Sequence, residues 1–207
     1  MTPTTAPSTG SWLDELPLQL AALDAQHLLR TRRAVSPLQG AHIRVDGQPL
    51  LQFCSNDYLG LAGHPALAEA ACTGAWDFGV GSGGSPMVNG HSTANAALEE
   101  ELARFVQLPR ALYFYAGFAT NASIIPALVG AGDAIFSDAL NHASLIDGIR
   151  MSEAKCIRFR HNDYAQLEML VQKHAADYEN IIVATESIFS MDGDACDLPR
   201  LVALKKA

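Results

Sequence analysis

Three short segments carry the residues best suited to chemistry. The first is Arg110–Leu128, RALYFYAGFATNASIIPAL, where the apolar run Ala111–Tyr115 reads as a buried strand and Phe118–Val129 as a helix, joined at Ala116-Gly117. A strand that turns through a glycine into a helix aims unpaired N–H groups and the positive end of the helix dipole at one spot. Such a spot suits an anion, most often a phosphate. On this reading Gly117, Phe118 and Thr120 hold a cofactor phosphate; an ordinary strand–helix turn fits the same residues equally well. The second segment is SDALNHASLIDG, whose His142 precedes an expected helix over Ala143–Met151. The third is ESIFSMDGD, Glu186–Asp194, which follows an expected strand at Ile181–Ala184 and contains Ser190. In parallel sheets ligands bind at the carboxyl ends of the strands. The turns at Gly117, His142 and Ser190 all follow expected strands, so they are expected to converge.

The elements that would position these turns are legible in order. Ser11–Arg33 reads as a helix, with Ser11 and Asp14 forming a capping box and Leu16, Leu20 and Leu23 on one face. Arg30, Arg32 and Arg33 crowd its C-terminal end, where cations offset the dipole; an exposed arginine there equally suits a substrate carboxylate. His42–Val45 and Pro49–Phe53 flank Asp46-Gly47, a hairpin signal. Pro65–Trp76 reads as a helix with proline in its first turn. Gly79–His91, GVGSGGSPMVNGH, formally contains G-x-G-x-x-G, but a helix precedes it and Ser85-Pro86 follows, so a nicotinamide site is rejected. Thr93 is expected to cap a helix to about Leu108. Strands at Ala134–Phe136 and Cys156–Phe159, and helices from Asp163 to about His174 and from Pro199 onward, complete an alternation that implies a largely parallel, doubly wound α/β sheet.

Composition narrows the class. The 207 residues are 49% hydrophobic and 17% charged, a globular balance. A net charge of −8 argues against a nucleic-acid surface. No apolar run is long enough to span a bilayer. Cys54, Cys72, Cys156 and Cys196 share no CxxC spacing and suit reduced thiols of a cytoplasmic protein. The first ten residues read as a disordered leader without a basic or apolar signal region. Residues 11–60 form an N-terminal helix and hairpin segment, and residues 61–207 the first part of a larger domain.

SNDYLGL, GSGGSPMVNGH, ALEEELARF, YAGFATN, SDALNHASLIDG and ESIFSMDGD, in this order, resemble the α-oxoamine synthases, fold-type I enzymes dependent on pyridoxal 5′-phosphate (PLP). The resemblance covers nearly everything from Leu29 to Ala207. The GSGGS loop beginning at Gly81 is most similar to the biotin-pathway branch, which joins L-alanine to a pimeloyl thioester with loss of CO2. The 2-amino-3-oxobutyrate CoA ligases share the NHASLIDG wording but differ in that loop, and 5-aminolevulinate synthase and serine palmitoyltransferase are more distant alternatives.

The resemblance implies a role for each matching residue. Gly117 and Phe118 would contact the PLP phosphate. His142 would stack on the pyridine ring and orient the reacting adduct, and Ser190 would hydrogen-bond the cofactor. Glu186 would orient His142 or a cofactor oxygen. Arg30 would bind a substrate carboxylate or CoA phosphate, and Asn56 would contribute to the substrate pocket across the interface of a homodimer. The thioester carrier, CoA or acyl carrier protein, stays open. The chemistry also needs a Schiff-base lysine and an acid beside the ring nitrogen. Neither is recognised among these residues, so the chain is expected to be the N-terminal portion of a longer enzyme that stops before the end of its large domain. Alone, it is expected to be inactive. A non-catalytic fragment that keeps the fold and binds no cofactor is the remaining alternative.

Overall fold

A computed structural model describes residues 11–36 and 39–206. The expected leader at residues 1–10 lies outside the described residues. The chain divides into two compact units, Met1–Ser92 and Thr93–Ala207.

The first unit opens with helix α1, Trp12–Ala25. Its start is as expected: the Ser11 hydroxyl accepts from Leu13 N–H, and the Asp14 carboxylate accepts from Ser11 N–H at 3.0 Å. Its end is not. The helix stops at Ala25 rather than Arg33, because His27 adopts a left-handed φ of 56°. Arg30, Arg32 and Arg33 therefore lie beyond the helix in irregular backbone and do not serve its dipole. A three-stranded antiparallel sheet follows: β1 (Val35–Ser36), β2 (His42–Val45) and β3 (Gln48–Leu51). The Asp46-Gly47 turn carries φ values of 50° and 81°, as a two-residue primed hairpin requires. Helix α2, Pro65–Phe78, is capped by His64, whose ring accepts from Ala66 N–H. The glycine segment after it includes a short π-helical turn at Pro86–Gly90.

The second unit carries the parallel sheet. Helix α3 spans Thr93–Phe105 and ends short of Leu108; the left-handed Gln107 (φ 57°) closes it. The run Ala111–Tyr115, expected as a strand, forms no strand and ends in a bend at Tyr115. Its Tyr113 N–H donates to the Glu99 side chain at 3.0 Å, and among the described residues no strand lies beside it. Helix α4, Gly117–Leu128, follows directly. Then come β4 (Ala134–Asp138), α5 (Ala143–Met151), β5 (Lys155–Phe159), α6 (Tyr164–His174), β6 (Ile181–Ala184) and α7 (Leu198–Lys206).

Strand β4 lies between β5 and β6, parallel to both, with Ala134 opposite Lys155 on one side and Ile181 on the other. All five of its residues are buried. The period-two alternation of a strand sends its side chains to opposite faces. Ile135 packs with Ile125 and Val129 of the α4 region and Ile149 of α5. Ala134 and Phe136 pack with Phe159, Tyr164 and Leu167, and Leu201 and Leu204 of α7 join that layer. Each fully buried large side chain here contributes about 1.5–3 kcal/mol. Helices thus cover both faces, and the carboxyl ends of β4 and β6 open toward the turns that hold His142 and Glu186.

Candidate active site

The site begins at the amino end of α4. The first N–H groups of a helix have no intrahelical partner. Here the residue before the helix is Ala116, which supplies no side-chain cap. A Cβ built on Gly117 would meet nothing within 4 Å. Uncapped donors beside open space, at the positive end of a twelve-residue helix, fit a phosphate monoester.

The second component is the start of α5. His142 is the N-cap of that helix. Its Nδ1 accepts from Ser144 N–H at 3.2 Å and lies 2.7 Å from the Ser144 hydroxyl. That hydroxyl in turn accepts from Asn121 Nδ2, one turn along α4, at 3.0 Å. A nitrogen that accepts carries no proton, so the ring proton of the neutral imidazole is on Nε2. The helix-capping role and a role in chemistry coexist in this residue: Nδ1 is committed to the cap and Nε2 is free for a ligand.

The third component is the turn after β6. The Glu186 carboxylate accepts from the main-chain N–H of His142. It therefore orients the turn that carries His142 rather than the imidazole itself. Asn141 Nδ2 donates to Ala184 C=O at 2.8 Å and to Ser137 Oγ at 3.0 Å, which fastens the two turns where they leave the sheet.

These elements enclose one cleft of about 460 Å³, lined by Gly117, Phe118, His142 and Glu186 together with Asn121 and Ser144. Thr185, Ser187 and Ile188 complete its wall on the β6 side. Four of the expected residues thus meet. Ser190 is not among the lining residues; it lies on the exposed turn that follows the buried Phe189. Thr120 spends its hydroxyl on Ala116 C=O at 3.1 Å. Arg30 and Asn56 belong to the first unit, where both are exposed and Asn56 Oδ1 accepts from Tyr58 OH at 3.4 Å. Asn121, Ser144 and Thr185 escaped the sequence reading. Their signals were available: one helical turn after Gly117, two residues after His142, and the first residue beyond β6.

Fold and cleft together define a class, and the comparisons agree on it. The chain belongs to the aminotransferase class I and II family, whose model matches residues 48–207. More particularly, it is 68% identical over 201 residues to an 8-amino-7-oxononanoate synthase of Paracidovorax citrulli, covering 97% of this chain and 48% of that protein. It is 64% identical over 200 residues to the enzyme of the same name from Delftia acidovorans, covering 95% and 49%. Among solved structures, a serine palmitoyltransferase from S. paucimobilis with a bound PLP–myriocin aldimine superposes with a TM-score of 0.85 at 26% identity, over 95% of this chain and 50% of that one. An 8-amino-7-oxononanoate synthase from Francisella tularensis gives 0.63 at 32% identity, over 73% and 41%. The fold is that of the fold-type I PLP enzymes. The chain spans about half the length of the curated relatives it matches.

Proposed function

We propose that the protein carrying this chain is an 8-amino-7-oxononanoate synthase: a PLP-dependent acyltransferase that condenses L-alanine with a pimeloyl thioester, on CoA or acyl carrier protein, and releases CO2. The observation that carries the reading is the convergence of Gly117, Phe118, His142 and Glu186 on one cleft, in a chain 68% identical to an enzyme of that name. Bound PLP supplies an electron sink for the α-carbon of the amino acid.

Residues of this chain would bind and orient the reactants. The N–H groups of Gly117 and Phe118 would hold the phosphate. His142, fixed by Ser144 and Asn121, would stack on the cofactor ring and would orient the substrate through its Nε2–H. Glu186 keeps that turn in place through the His142 N–H. Ser190, on the exposed turn after Phe189, would hydrogen-bond the cofactor near its phosphate or ring oxygen. Arg30 binds the substrate carboxylate or a CoA phosphate, and Asn56 borders the substrate pocket across a homodimer interface. The exposed thiols of Cys54, Cys72 and Cys156 suit a reducing, cytoplasmic setting. Among the described residues no helix is long and apolar enough to cross a membrane.

The test is product formation by the protein carrying this chain. Mass spectrometry is expected to find 8-amino-7-oxononanoate from L-alanine and pimeloyl thioester, and only when PLP is present. PLP-dependent turnover that prefers glycine and acetyl-CoA would move the protein to the ligase branch.

A further inference from the structure

His161 stands between two turns and touches both. Its Nδ1 lies 2.9 Å from Asp138 Oδ1 at the end of β4, and its Nε2 lies 2.8 Å from Asp194 Oδ2 in the turn after β6. Both distances are hydrogen bonds, and both partners are carboxylates. A neutral imidazole has one N–H and would set a lone pair against one of these oxygens. An imidazolium donates from both nitrogens and satisfies both carboxylates at once, with Asn162 Nδ2 also 3.3 Å from Nε2. Asp138 is buried, and it also accepts from Leu140 N–H at 2.8 Å and Asn162 N–H at 3.0 Å. Asn162 Nδ2 donates to the same Asp194 oxygen at 2.6 Å. The edge of Phe189 packs perpendicular to the His161 ring, with centroids 4.4 Å apart.

We propose that the His161 imidazolium is a positioning residue for the cleft: by pairing with Asp138 and Asp194 at once, it holds the Glu186–Asp194 segment in register with the turn that carries His142. Transmission is short. Asp194 C=O accepts from Phe189 N–H, and Phe189 C=O accepts from Gly193 N–H, each at 2.8 Å. Ile188, next to Phe189, lines the cleft, and Glu186 holds the His142 N–H. On the other side Asp138 accepts from Leu140 N–H, two residues before His142. Losing the charge on His161 leaves a buried carboxylate with only neutral donors and frees the Asp194 turn. The titratable groups that face the ring are Asp138, Asp194 and Asp192, with Tyr164 bonded to Asn162 Oδ1 beyond them. The Asp138 hydrogen bond raises the imidazolium pKa above its ordinary value, against burial that lowers it, and Asp194 adds to the rise.

The proposal rests on the cleft being the PLP site, but its test uses neither substrate nor turnover. In the full protein, the His161 ring signal and the amide signals of Phe189, Gly193 and His142 are followed by NMR as pH rises. The expected result is one shared midpoint, lying above that of an ordinary histidine. In Asp194→Asn the shared midpoint shifts to lower pH. In His161→Gln the transition disappears from all three amides. Amides of Phe189 or His142 that ignore the His161 midpoint, or keep it in His161→Gln, would overturn the proposal. Should His161→Gln fail to fold, the Asp194→Asn shift decides alone.

Discussion

His142 Nδ1 lies 2.7 Å from the Ser144 hydroxyl and 3.2 Å from the Ser144 N–H, so one residue both caps a helix and presents a fixed tautomer to the cleft. The two roles are separable by mutation. His142→Asn keeps a capping acceptor and removes the ring, whereas His142→Ala removes both. Loss of a cap costs about 0.5–2 kcal/mol, and loss of a positioned acid–base group costs roughly 10²–10⁴-fold in rate. Both variants are expected to lose turnover on that scale, with only His142→Ala also lowering the melting temperature. Near-normal turnover in His142→Asn would leave His142 a capping residue.

Two glycines separate packing from binding. A Cβ on Gly148 would overlap the Asn121 carbonyl and sit 3.3 Å from Ala122 Cα, where α5 crosses α4. Gly148→Ala is expected to destabilise by about 1–3 kcal/mol, since overpacking forces backbone shifts. A Cβ on Gly117 meets nothing. Gly117→Val is therefore expected to leave the denaturation midpoint nearly unchanged and to weaken PLP binding. The reverse pattern would place the phosphate elsewhere.

Stability is expected to pass through a maximum in pH, with His161 contributing to the alkaline limb and Asp194, alongside Asp133 and Asp163, to the acid limb. His161 has a raised folded pKa. Its contribution is full below the ordinary histidine value of 6.5 and is lost as pH rises through the raised value. Asp194 has a lowered folded pKa, chiefly through the His161 hydrogen bond, and its contribution is lost as pH falls below 3.8 toward that lowered value. Urea midpoints across this range are the measurement. In His161→Gln the alkaline decline should flatten; a decline identical to that of wild type would assign it to other groups.

The lysines make a further prediction. Lys155 starts β5, at the end of the sheet away from the cleft, and Lys173 lies near the end of α6. Lys205 and Lys206 occupy the last turn of α7. None lines the cleft. Borohydride reduction of this 207-residue chain with PLP, followed by peptide mapping, is expected to label no single lysine stoichiometrically. One fully labelled lysine among the four would contradict this.

Local chemistry made parts of the fold readable from the residues. The Ser11–Asp14 box, the Asp46-Gly47 hairpin, the span of α5 and the Asp163 cap, which accepts from Gln166 N–H at 2.9 Å, all depend on neighbours in sequence. What depends on distant partners was not readable. Ala111–Tyr115 has the composition of a strand, but composition does not supply the neighbour that a ladder needs. The end of α1 rests on a left-handed His27, which no glycine or proline announces. In the cleft, Gly117, His142 and Glu186 were marked by motifs. Asn121 enters only through the α4–α5 crossing, and His161 only through two carboxylates, 23 and 33 residues away.

The most direct test of where the cofactor sits is a crystal structure of the protein carrying this chain with PLP bound. The phosphate is expected on the N–H groups of Gly117 and Phe118, and the pyridine ring stacked on His142, with Glu186 still holding the His142 N–H. A phosphate seated away from the start of α4, or a ring that does not face His142, would contradict it.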